Sequence, residues 1–161
     1  MLKNAVIPAC LFLCMVLISC AKEVTYDRDA QLKLDVDSIT RFIALNKINA
    51  KNDGSGLFTQ VVTPGIGTET LESLDTVTVK YTGRLLNGAI VDNPTEPVKL
   101  VYSSLIEGWM RGLPYIQAGG QIRLIVPSAM AYTNKRVNLI PANSCLDYTI
   151  NLLTISKFVK K

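Results

Sequence analysis

The spacing of the apolar residues changes once along this chain, and that change restricts what it can fold into. Before residue 50, Leu32, Val36, Ile39, Phe42 and Ile43 recur at three- and four-residue steps, one face of a helix capped by Asp29 and running to about Asn49. Asn52-Asp53-Gly54-Ser55-Gly56 then breaks the chain. From Leu57 onward the period is two. Thr76 to Thr82 alternates, with Val77, Val79 and Tyr81 facing one way and Thr78, Lys80 and Thr82 the other. Further strands are predicted over Leu57 to Thr63 (ended by Pro64-Gly65), Val98 to Tyr102, Gln121 to Val126 and Leu146 to Ile155. In the last, Leu146, Tyr148, Ile150 and Leu152 share a face. Asn87-Gly88 reads as a hairpin turn, because both residues tolerate positive φ. Ile106 to Ile116 is a short helix limited by Pro114. A helix followed by a mostly antiparallel sheet with one short helix lodged between strands is an α+β fold. No internal repeat is present.

The first nineteen residues follow a different logic. Lys3 gives a positive start, and Ala5 to Ile18 is an apolar run broken only by Pro8, Cys10 and Cys14. Its length suits a signal-peptide core and is short of the ~20 residues a membrane span needs. Leu17-Ile18-Ser19-Cys20 resembles the bacterial lipobox, in which a cysteine thiol takes a diacylglycerol after cleavage on its N-terminal side. The resemblance implies a cut before Cys20, a lipid on that residue, and a chain held on a membrane of the bacterial cell envelope. It would face the periplasm and sit on the outer membrane, since Ala21 is not the Asp that marks inner-membrane retention in many proteobacteria. An ordinary signal peptide followed by a chance cysteine is the alternative. The expected organisation is a leader over 1–19, a polar tether over 20–29, the N-terminal helix and linker over 30–53, and one domain over 54–161.

Composition narrows the chemistry. The 17 basic and 13 acidic residues give +4, and a cut before Cys20 removes only Lys3, leaving +3 on 142 residues. So mild and dispersed a charge does not argue for nucleic acid. The basic end, Lys157, Lys160 and Lys161, reads as a solvated tail. Beyond Cys20 only Cys145 remains, so no internal disulfide can form. There is no histidine, which removes Ser-His-Asp and Cys-His catalysis and argues against zinc. Gly65-Ile-Gly67 and Gly119-Gly120 precede strands rather than helices, so they are turns and not phosphate cradles. An enzyme built from these residues would work without a proton shuttle at neutral pH, a metal or a cofactor.

Val77-Thr-Val-Lys-Tyr81-Thr-Gly83-Arg-Leu85-Leu-Asn-Gly88-Ala-Ile-Val-Asp92 resembles the signature of FKBP-type peptidyl-prolyl isomerases. The resemblance continues through Leu105-Ile106-Glu107-Gly108-Trp109 and Gly112-Leu113. It returns at Ile125-Val126-Pro127, Tyr132, Ile140-Pro141-Ala142-Asn143 and Leu146-Asp-Tyr148, covering about residues 57–156. A helix and a Gly-x-Gly break ahead of it look like lipid-anchored FKBPs of the Bacteroidetes type. The resemblance implies a curved antiparallel half-barrel around one short helix, acting as a single copy on proline-containing polypeptides being exported. It implies a pocket with Trp109 as its floor and Tyr81, Leu105, Ile106 and Tyr148 as walls. The Ile106 N–H and the Tyr132 hydroxyl would hold substrate carbonyls, Asp92 would stand at the edge, and Leu139 and Ile140 would form a flap. Val91 and Val98 stand where the family has aromatic rings, and Lys80 where it commonly has His. Two lost rings open a second reading, a non-catalytic FKBP-like chaperone or binding module of an envelope complex. The residues alone also allow Tyr81, Ile106, Trp109 and Tyr148 to be plain core, and Asp92 a surface carboxylate.

Overall fold

Asp27 opens helix α1 (Arg28–Asn46), its carboxylate accepting the N–H groups of Asp29 and Ala30 at 3.1 and 3.0 Å. The cap is therefore two residues earlier than expected. Asp27 has extended backbone, whereas Asp29 is already helical and its charge sits in the first turn, where the helix dipole favours it. The helix also ends three residues early. Lys47 takes the left-handed conformation (φ 53°), and the N–H groups of Ile48 and Lys47 return to the carbonyls of Ile43 and Ala44. This closure satisfies the last carbonyls and turns Ile48 back onto the apolar face. The computed structural model describes residues 25–160. The expected leader, Cys20 and the first part of the tether lie outside the described residues.

The strands are β1 (Lys51–Asn52), β2 (Phe58–Thr63), β3 (Thr76–Leu85), β4 (Ile90–Asp92), β5 (Val98–Val101), β6 (Gly120–Val126) and β7 (Leu146–Ser156). They form one sheet in the order β1-β2-β6-β7-β3-β4, with β5 also paired to β3. Every pairing is antiparallel. The Asn87-Gly88 turn joins β3 to β4 as expected: Gly88 has φ 89°, and the Asn87 side chain accepts the Ala89 N–H.

Helix α2 (Glu107–Gly112) lies on one face of this sheet, over the core of Val77, Val79, Ile122, Leu124, Ile150 and Leu152. It is shorter than expected, giving way to a 3-10 turn over Leu113–Tyr115. Pro114 has no N–H to return to Met110, and the Tyr102 hydroxyl donates to the Met110 carbonyl instead. Two glycines bring α2 close to the sheet. A Cβ at Gly108 would lie 2.4 Å from Val126 Cγ1, and one at Gly112 would lie 2.5 Å from Leu124 Cδ2.

Helix α1 covers the opposite face, where Ile39 meets Phe58, Ile125 and Cys145. This explains the unbroken burial of Leu124, Ile125 and Val126. The outer residue of that run is covered by α1, so both faces of β6 are dry at this end.

Lys157 departs from the expected solvated tail. Its ammonium donates to Asp75 Oδ2 at 2.6 Å and to the Thr70 carbonyl at 2.9 Å, while the Phe158 N–H donates to Asp75 Oδ1 at 3.0 Å. Asp75 is buried at the start of β3, and a buried carboxylate needs such partners. Lys160 is exposed. No helix among the described residues is long and apolar enough to cross a membrane.

Candidate active site

A cavity opens between α2 and the half of the sheet formed by β3, β4 and β5, enclosing about 610 Å³ including its open mouth. Strand β3 supplies Tyr81, the end of β4 supplies Asp92, and β5 supplies Leu100. The loop into α2 carries Ser104, Leu105 and Ile106, α2 carries Trp109, the segment after β6 carries Tyr132, and β7 carries Tyr148. Alternation along β3 and β7 aims Tyr81 and Tyr148 to the same side as the core residues Val79 and Ile150.

Three aromatic rings shape the interior. Trp109 is almost fully buried and meets Tyr81 and Tyr148 in T-shaped contacts, with centroids 4.9 and 5.2 Å apart. Tyr148 presses on the backbone of its β3 partner Gly83, where a Cβ would stand 2.6 Å from the ring. Any larger residue at 83 would push the ring out of the cavity wall. The Tyr81 hydroxyl donates to Asp92 Oδ2 at 2.7 Å. Burial pushes the Tyr81 phenol well above its ordinary pKa, and the Asp92 carboxylate holds its proton on further. Burial raises Tyr148 as well, with the Tyr132 phenol beside it adding to the effect. Both phenols therefore stay protonated across the physiological range, serving as walls and hydrogen-bond donors and not as bases.

Ile106 precedes the first residue of α2 with extended backbone, and its carbonyl accepts the N–H groups of Trp109 and Met110. Among the described residues its own N–H donates to no carbonyl. The arrangement is an apolar slot with donors on its rim and no strong base or nucleophile inside. It suits a substrate group that must be desolvated and held, not one that must be attacked.

Tyr81, Asp92, Leu105, Ile106, Trp109, Tyr132 and Tyr148, singled out from the sequence, all lie on this one cavity. Four others do not line it. Val91 and Val98 are partly buried against the adjoining core, outside the cavity lining. Ile140 is buried in the core and Leu139 is 67% exposed, and neither of these two residues expected as a flap lines the cavity. Leu100 and Ser104 line the cavity and were not foreseen. Leu100 was within reach, because it alternates with Val98 on a predicted strand. Nothing in the sequence marks Ser104.

The family model for FKBP-type peptidyl-prolyl cis-trans isomerases matches residues 67–153, more than half of the chain. An FkpA isomerase from Buchnera aphidicola subsp. Acyrthosiphon pisum is 42% identical over 108 residues, covering 65% of this chain and 44% of its own. The crystal structure of FkpA from Escherichia coli superposes with a TM-score of 0.66 at 32% identity, over 80% of this chain and 64% of that one. A peptidyl-prolyl cis-trans isomerase from Pseudomonas syringae gives 0.65 at 30% identity, over 81% of this chain and 97% of that one. The chain spans between 41% and 59% of the length of the first curated relatives it matches. With matches of this extent in sequence and in fold, the chain belongs to the FKBP-type peptidyl-prolyl cis-trans isomerase family.

Proposed function

We propose that this chain catalyses the cis–trans rotation of X-Pro bonds in exported polypeptides. The observation that carries the reading is the slot formed by Trp109, Tyr81 and Tyr148, with Tyr81 fixed by its hydrogen bond to Asp92. The barrier to rotation is amide resonance, about 18–20 kcal/mol. Twisting the bond removes charge separation from the amide, so a dry apolar slot favours the twisted form over the planar one. The prolyl ring would rest on Trp109 between Tyr81 and Tyr148. The Ile106 N–H and the Tyr132 hydroxyl would hold the flanking carbonyls, and Asp92 would fix the Tyr81 wall. No proton need move, which suits a chain without histidine.

The anchor is part of the same reading. Lipid on Cys20 would hold a single copy on the envelope membrane, facing the periplasm, as in lipid-anchored FKBPs of the Bacteroidetes type. The Leu17-to-Cys20 motif supports it. Changing Cys20→Ala should stop fatty-acid labelling in cells, and labelling that persists in the variant would defeat the anchoring claim.

The deciding assay is isomerisation of Leu-Pro and Ala-Pro peptides by the mature domain. Acceleration that is lost in Trp109→Ala, with the variant still folded, supports the enzyme. Val91 and Val98 favour the second reading, a binding module, because the cavity receives no ring from either. An inactive domain that still binds Pro peptides would replace the first reading by the second.

A further inference from the structure

We propose that helix α1 braces the cavity from behind, and that Asp35 is a positioning residue that fixes Tyr132. The proposal rests on the isomerase reading, in which Tyr132 and the Ile106 N–H are the two donors to substrate.

Asp35 lies on the helix face that otherwise carries Val36 and Ile39, and it is 2% exposed. Its Oδ2 accepts both the N–H of Ser128 at 2.7 Å and the Ser128 hydroxyl at 2.6 Å. Its Oδ1 accepts Gln31 Nε2 at 2.7 Å. Ser128 is fully buried, and removing Asp35 would take away the acceptor of two of its donors.

The other side of Ser128 holds the cavity. Its carbonyl accepts the N–H of Ala131 at 3.0 Å and of Thr133 at 2.8 Å. Those two bonds close the turn that carries Tyr132 between them. Ser128 thus joins α1 through its N–H and hydroxyl to the Tyr132 turn through its carbonyl.

A second tie reaches the other donor. Arg28 stands seven residues before Asp35, two turns and ~10 Å back along the helix. It donates to Glu107 Oε2 at 2.8 Å, and Glu107 directly follows Ile106. This pair is half exposed, so it contributes little by itself. One rigid helix nevertheless spans the two segments that carry the donors. An apolar side chain at position 35 would leave the buried Ser128 N–H and hydroxyl without their acceptor. A carboxylate there is better suited to fixing the Ser128 turn in one place.

The test uses amide exchange and a double-mutant cycle in the mature chain. Asp35→Ala should speed exchange at the Ala131 and Thr133 amides about tenfold or more while leaving the β3–β7 amides unchanged. It should lower kcat/KM about tenfold when Tyr132 is present and less than about twofold in Tyr132→Phe, because the two residues act as one unit. If Asp35→Ala does not fold, Ser128→Ala, which removes the hydroxyl bond to Asp35 and keeps the N–H bond, is read the same way with smaller changes. Unchanged exchange at Ala131 and Thr133, or an equal activity loss in both backgrounds, overturns the brace. If the unaltered chain turns over no Pro peptide, the isomerase reading falls, and amide exchange still decides whether α1 holds the Tyr132 turn.

Discussion

Cys145 shows how one residue's surroundings decide its chemistry. It is buried beneath α1, and burial together with the nearby Asp35 carboxylate pushes its thiol up to about 12. So little thiolate exists at neutral pH that the residue is inert as a nucleophile. Cys145→Ser should leave isomerase activity within about threefold, and the folded protein should resist iodoacetamide at pH 8. Rapid alkylation without unfolding would contradict this. Trp109 lies at the other extreme. Its indole is held by two tyrosine rings, so Trp109→Ala should cost ~3–5 kcal/mol in urea unfolding and abolish Pro-peptide binding. A variant that binds Pro peptide as well as the parent would remove Trp109 from the site. Val91 and Val98 can be tested in the opposite direction. Phe at both positions should reach the cavity that the valines do not, raising kcat/KM about tenfold, or ~1.4 kcal/mol of transition-state contact. Thermal melts separate that outcome from overpacking, which typically costs ~1–3 kcal/mol. A stable double variant with unchanged kcat/KM would show that these positions do not limit catalysis.

At the scale of elements, α2 is a short helix in which two glycines are favoured by contact and not by propensity. Glycine inside a helix costs about 0.5–1 kcal/mol relative to alanine. Gly108 and Gly112 are nevertheless required, because α2 rests directly on Val126 and Leu124 of β6. Gly108→Ala therefore sets a propensity gain of at most ~1 kcal/mol against an overpacking cost of ~1–3 kcal/mol. The stiff branched side chain of Val126 cannot rotate away easily, so the cost should win. Urea unfolding should show a net loss of ~1–2 kcal/mol, with a lower kcat/KM because Trp109 is lifted with its helix. A stabilised variant would mean that the sheet yields to the helix. The helix is also shorter than the sequence predicts. Its apolar pattern continues to Ile116, but Pro114 and the Tyr102 bond to Met110 end the α-helix at Gly112.

At the scale of the whole molecule, the chain end is tied back to the start of β3. The Lys157 ammonium and then the Phe158 N–H lower the Asp75 carboxyl from 3.8 to about 2. A group whose folded pKa is depressed stabilises fully above its unfolded value and loses that contribution as pH falls through the folded one. The clasp should therefore hold above about pH 4 and fail between there and pH 2. Lys157 is raised by the same partner, so its share is lost again as pH climbs through its raised pKa. Thermal melts across pH should show a steeper acid loss in the parent than in Asp75→Asn. Equal acid slopes in both would mean that the clasp contributes nothing to folding. Neither half of the clasp was legible in the sequence. Asp75 looks like a loop residue and Lys157 like part of a basic tail, because 82 residues separate them.

The sequence by itself determined the main strands and the faces of β3 and β7. Period-two alternation placed Val77, Val79 and Tyr81 together and put Leu146, Tyr148, Ile150 and Leu152 on one side of β7, since side-chain direction along a strand follows from local geometry alone. It also specified the turn at Asn87-Gly88, where the positive φ of Gly88 selects glycine. Tertiary structure decided what those faces meet. Leu100 reaches the cavity while Val98 stops short, Leu139 turns to solvent while Ile140 enters the core, and Asp35 finds Ser128 across 93 residues. Side-chain reach, burial on both sides of β6 and the pairing of buried charges depend on distances between elements, and no local pattern in the chain encodes those distances.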